Sequence, residues 1–138
     1  MTAKEFSYFT RHQDNGTAKK YIMVAKETFE ELTEKQKKQY EPLLEELVMS
    51  SSLIMDKSGK YSKDLEKVAK SKQDPATAGV FFLKAALANH YRNGTDLAIE
   101  NLTMANEKLK ITTYSSRVQS ILEKRDWKDL EEVVIELS

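Results

Sequence analysis

This sequence predicts an all-α fold of about eight helices in antiparallel pairs, and three observations predict it. Only 4 Gly and 2 Pro occur in 138 residues, too few turn signals for an all-β sandwich or barrel. Apolar residues recur at helix spacing through most segments. Charged residues make up 32% of the chain, a load that long solvated helix faces carry. The length fits one domain over residues 1–138 with a sizeable core. The pairs could stack as a small solenoid or close as an irregular helical bundle.

Residues 1–25 admit two readings. Phe6 and Phe9 share one face of a short helix ending at Asn15-Gly16. Alternatively, EFSYFT and KKYIMV pair as a β-hairpin around Asp14-Asn15-Gly16. The helix is favoured, because Tyr21, Val24, Ala25, Thr28, Phe29 and Leu32 then continue at helix spacing.

Thr33 and Gln36 form a capping box, so a new helix starts at Glu34. Its apolar stripe is Tyr40, Leu43, Leu44, Leu47, Ser51, Ile54 and Met55. Pro42 lies inside it and predicts a kink or a break. Asp56 to Gly59 ends the element. Ser62 is positioned to cap a shorter helix with Leu65, Val68 and Ala69 inward.

Asp74-Pro75 then stops one helix and starts the next. Ala76 to Arg92 is the most apolar run in the chain, and Asn93-Gly94 breaks it. Thr95 can cap the following helix, whose seam is Ala98, Leu102, Ala105 and Leu109. Small residues in that seam let a partner helix approach closely. Tyr114, Val118, Ile121 and Leu122 mark the next helix. Asp126 caps the last, in which Trp127, Leu130, Val133, Val134 and Leu137 face inward. The β-branched run Val133-Val134-Ile135 lowers helicity there and keeps a terminal strand open.

The turns at 14–16, 57–59, 92–94 and 124–126 divide the chain into helix pairs of similar length. In the third pair, Ala98-Ile99, Leu102 and Ala105 keep a small–apolar–small spacing, and HYRNGTDLAIENL sets an aromatic before the turn and a small residue after it. Residues 76–110 thereby resemble a tetratricopeptide repeat (TPR). They depart from it in lacking the Trp and Leu-Gly pair of its first helix, and Pro after Lys110. The resemblance implies a TPR-like solenoid that binds peptides or partner helices on a concave face.

Chemistry is sparse. Twenty-two basic residues balance 22 acidic ones, so net charge argues for neither nucleic acid nor an anionic membrane. The absence of Cys removes disulfides, thiolate metal sites and cysteine nucleophiles. His12 and His90 stand alone, without neighbours at metal-ligand spacing. Glu45-Glu46 and Glu131-Glu132 are adjacent, so each pair diverges by about 100° on a helix. Ser50 to Ser52 have no His or Lys nearby in sequence. No phosphate loop, dinucleotide fingerprint or HExxH occurs. The expectation is a non-enzyme with no cofactor, no metal and no catalytic residue. No signal peptide or membrane-length apolar run is visible, which leads us to expect a cytoplasmic protein without a membrane partner.

Two faces stand out. On the most apolar helix, Phe81, Lys84, Tyr91 and Arg92 follow helix spacing, and Lys84 is the lone charged residue between Asp74 and Arg92. Lys84 either snorkels to water over a core face or lines a groove for a peptide; snorkelling is favoured. Lys60, Lys63, Lys67 and Lys70 share another face, and residues 57–72 carry six Lys against Asp64 and Glu66. This is a solvated face or a phosphate-binding one. The expected function is a non-catalytic protein–protein interaction domain for a peptide or partner helix. Alternatives are a small immunity or antitoxin protein acting by binding, and a nucleic-acid-associated regulator using Lys60–Lys70. Exposed apolar stripes could also close a homodimer.

Overall fold

A computed structural model of the chain describes residues 23, 24 and 26–138. The helix-or-hairpin question over residues 1–22 and the surroundings of His12 fall outside the described residues. Among those described, the architecture is all-α with no strand. Helical residues at 23–24 and 26–30 form α1. Six helices follow: α2 (Glu34–Met55), α3 (Ser62–Ser71), α4 (Pro75–Tyr91), α5 (Thr95–Lys108), α6 (Ser115–Lys124) and α7 (Trp127–Leu137).

The start of α2 is the expected capping box. Thr33 Oγ1 accepts from the Gln36 N–H at 3.3 Å, and Gln36 Oε1 accepts from the Thr33 N–H at 3.1 Å. The helix runs through Pro42 without the break that residue suggested. Pro42 and Lys38, whose carbonyl loses its helical donor, are both exposed, so water can take the donor's place. The expected stripe is also corrected. Met49, Ser50, Ser51 and Leu53 are buried, whereas Tyr40 is 44% and Leu43 61% exposed. Only the C-terminal half of α2 lies against α4.

Ser62 does not cap α3. It is the first helical residue, Tyr61 holds the cap position without a side-chain bond, and the buried Ser62 hydroxyl accepts from Arg92 Nη1 at 2.7 Å. Leu65 and Ala69 face inward as expected.

Helix α4 is the centre. Asp74 caps it, accepting from the Thr77 N–H at 3.0 Å and Thr77 Oγ1 at 2.7 Å, with Pro75 in the first turn. Eleven of its 17 residues are buried. Short connections fold α3 and α5 back along it, and α7 and the end of α2 pack on it too. The break after α4 falls on Asn93, which takes the left-handed conformation at φ 62. Gly94 holds the cap position of α5, so Thr95 starts the helix rather than capping it. The seam Ala98, Leu102, Ala105 and Leu109 is buried. The closeness of approach is visible at Gly79, where a Cβ would lie 2.5 Å from Leu109 Cγ.

The C-terminus is helical, not a strand. Leu130, Val133 and Val134 are buried, and Asp126 caps α7 by accepting from the Asp129 N–H at 3.1 Å. Packing outweighs the weak propensity of the β-branched run. Arg117 on α6 clamps α7, donating to Asp129 at 2.8 Å and Glu136 at 2.8 Å. Arg125 ends α6 in the left-handed conformation at φ 55. That geometry suits Gly better than a residue with a Cβ. We expect Arg125→Gly to stabilise the chain by about 0.5 kcal/mol, the relief of left-handed strain outweighing an exposed hydrogen bond from Arg125 to the Leu122 carbonyl. Urea denaturation checks it, and a loss of stability would show that the arginine's own contacts dominate.

Candidate functional site

The four residues singled out on α4 do not meet in one groove. Phe81 and Lys84 lie together against α2, while Tyr91 and Arg92 sit at the far end of the helix. Tyr91 is half-buried and its hydroxyl donates to Glu131 Oε2 on α7 at 2.8 Å. Burial, reinforced by Glu131, holds that hydroxyl well above the ordinary tyrosine range. Arg92 reaches to α3 through Ser62.

Lys84 does not snorkel. It is 7% exposed and its ammonium donates to Ser50 Oγ on α2 at 3.0 Å, with the Phe81 ring centroid 4.7 Å away. Burial pushes its pKa down to about 8, Glu46 pulls it up, and Lys72 adds to the fall. Lys72 itself pairs with Glu46 of α2 at 2.8 Å and lies 5.4 Å from the same Phe81 ring. A lysine beside a serine hydroxyl is a possible base–nucleophile pair. Here Ser50 is also 7% exposed, so both groups stand inside the packed contact between α2 and α4. The cluster links α2 to α4 through Ser50 and Lys84.

A second polar cluster joins three helices. Asn89 Nδ2 donates to Asn101 Oδ1 at 2.7 Å, and Asn101 Nδ2 donates to Glu66 Oε1 at 3.1 Å. Among the described residues, Asn89 Oδ1 is buried and has no partner. These bonds turn Glu66 of α3 inward. Since successive helical residues diverge by about 100°, the same rotation leaves Lys63, Lys67 and Lys70 on the solvent side, where all three are exposed with Lys60. Lys60 lies just before α3, with its ammonium 5.0 Å from the Tyr61 ring centroid.

The concavity of interest lies beside that basic face. Helices α2 and α3 both lean on α4 and leave an open groove of 610 Å³ between them. Leu44, Val48 and Met49 form one wall and floor, and Tyr61 and Val68 the other. Glu45, Asp64, Lys67 and Ser71 supply its polar edge. Sequence reasoning missed this groove, because its walls come from two helices with no shared pattern. The signal that could have pointed to it is the apolar excess of α2 near its middle.

His90 stacks on Trp127, with centroids 4.7 Å apart and planes at 12°, and burial holds its pKa below the ordinary histidine value against the pull of Glu131. No group of three or more His, Cys, Asp or Glu among the described residues could hold a metal ion. No helix among them is long and apolar enough to cross a membrane. Compared with known proteins, the chain matches no family model, no curated protein and no solved structure.

Proposed function

We propose that this chain is a non-catalytic interaction domain that binds a peptide or partner helix in the groove between α2 and α3. The observation that carries the reading is the groove itself: an open apolar trough of 610 Å³ with a polar edge, continued on α2 by the exposed side chains of Tyr40 and Leu43. Apolar surface left facing water beside a concave site favours a protein partner. The buried state of Ser50 and Lys84 supports the non-catalytic reading. The kinship of residues 76–110 with tetratricopeptide repeats belongs to the same proposal, supported by the close approach of Leu109 to Gly79 and by the buried small residues Ala98 and Ala105 in the α5 seam. A cytoplasmic setting, where such domains meet partners, is proposed with it.

The test is capture of partners from a native lysate by wild type and by a Leu44→Gln/Val48→Gln double variant. Both positions are outside the buried core, so circular dichroism should show an unchanged fold. One stoichiometric protein partner retained by wild type and lost by the variant is the expected result. Equal retention by the two proteins would remove the groove from the reading. Turnover of any substrate, abolished at Ser50 or Lys84, would overturn the non-catalytic assignment.

A further inference from the structure

We infer that the occupant of the α2–α3 groove is an acidic amphipathic helix of about three turns, an inference that rests on the groove reading above. The groove offers apolar side chains on both walls and no sheet edge. An extended peptide there would find no backbone partners, whereas a helix satisfies its own backbone bonds and needs only an apolar stripe. Lys60 to Lys70 spans about 15 Å at the helical rise, which is close to three turns.

The charge of the partner follows from which lysines are already engaged. Lys57 and Lys72, at the two ends of the basic run, pair with Glu131 at 3.6 Å and Glu46 at 2.8 Å. Among the described residues, Lys60, Lys63, Lys67 and Lys70 have no carboxylate partner within 4.0 Å, and Glu66, which could have answered them, is turned toward Asn101. Lys67 lines the groove beside Asp64 and Glu45, while Lys60, Lys63 and Lys70 are exposed outside that lining, along the flank of α3. Carboxylates one turn apart along one flank of a bound helix would meet this row at lysine spacings of 3, 4 and 3.

Other occupants fit less well. In a twofold pairing of two copies through this face, the lysine row would be set against itself. The chain's own first 22 residues carry Lys4, Arg11, Lys19 and Lys20 against Glu5 and Asp14, which does not complement a basic face. A nucleic acid would use the lysines but leave the apolar walls idle, and Tyr61 is packed against the core rather than free for stacking.

The experiment pans a displayed library of random peptides of about 16 residues against the full chain. Enriched peptides are then titrated by fluorescence anisotropy against wild type, Leu44→Gln/Val48→Gln and Lys63→Glu/Lys67→Glu/Lys70→Glu. We expect peptides with an apolar stripe and an acidic flank. Their binding should weaken about tenfold or more in both variants, and in wild type as salt rises from about 50 to about 300 mM. Peptides that need the groove but show no acidic bias, and bind the charge-reversed variant equally, would overturn this inference and leave the groove reading standing. No groove-dependent peptide would overturn both. Sedimentation showing a dimer abolished by Leu44→Gln/Val48→Gln would replace the acidic helix with a second copy. Retention of RNA or DNA, lost on charge reversal alone, would replace it with nucleic acid.

Discussion

Replacing Lys84 with Met is expected to stabilise the chain by about 1–3 kcal/mol at pH 7, and replacing it with Glu to cost about 4 kcal/mol. The ammonium is buried between α2 and α4, with Ser50 Oγ and the Phe81 ring for company and no carboxylate in contact among the described residues. Its pKa falls from 10.5 to about 8, chiefly through burial. A fall of that size is about 3 kcal/mol charged against the folded state at neutral pH. Methionine keeps most of the volume and removes the charge, giving back part of the gain by leaving Ser50 with one partner fewer. Glutamate buries a charge of opposite sign beside Glu46, which is why it costs most. The pH dependence has a definite sign. Between pH 8 and 10.5 the unfolded chain holds the Lys84 proton and the folded chain has released it, so stability rises with pH through that window. Above pH 10 Tyr91 opposes it, because its raised pKa keeps its proton on in the folded state when the unfolded chain would give it up. Urea denaturation of wild type and Lys84→Met at pH 7 and at about 9.5 isolates the lysine. The gap between them should shrink at the higher pH. A constant gap would show that the charge carries no penalty in the folded state, and a less stable methionine variant would show that Lys84 holds α2 in place.

That lysine marks where sequence reading stops. Its partner, Ser50, is 34 positions away on another helix, and no periodicity connects them. Features that depend on neighbours along the chain were legible. The capping box at Thr33 and the cap at Asp126 are each satisfied within three residues, and the helix expected to start at Asp74-Pro75 does start there. So was the α5 seam, because one helix face against one partner obeys a single spacing. Ser62 and Thr95 failed as caps although their residue type was right. Ser62 is claimed by Arg92, and Asn93 and Gly94 already make the turn that Thr95 was to end. The stripe on α2 misled for another reason. Apolar spacing shows which face of a helix is apolar, not how much of its length meets the core. Only the second half of α2 is covered, and the uncovered middle is what builds the groove. Phe81, Lys84, Tyr91 and Arg92 likewise share a spacing but turn to α2, α7 and α3, because α4 is surrounded.

Gly59→Ala is expected to cost about 3 kcal/mol, at the upper end of what overpacking does, from a single added methyl. The loop between α2 and α3 lies directly on the last turn of α4. A Cβ at Gly59 would stand 2.2 Å from the Ala88 carbonyl oxygen, 3.1 Å from Arg92 Cβ and 3.2 Å from Arg92 N. The first of these is backbone and already accepts from the Arg92 N–H that closes α4, so it cannot swing away as a side chain would. Either the last turn of α4 opens or the loop lifts. If the loop lifts, the Gly59 carbonyl leaves the Ser62 N–H that it accepts at 3.1 Å, and Ser62 leaves Arg92. Both losses fall at the start of α3, the wall of the groove that carries Tyr61 and the lysine row. The control is Gly94→Ala, where the nearest atom is the Asn89 carbonyl at 3.3 Å and the cap position has a negative φ; that change should cost less than about 1 kcal/mol. Thermal denaturation should therefore separate the two alanine variants by roughly 10 °C. Equal melting temperatures would mean that the loop does not rest on α4 in solution, and the α3 wall would then lack the anchor that sets the width of the groove.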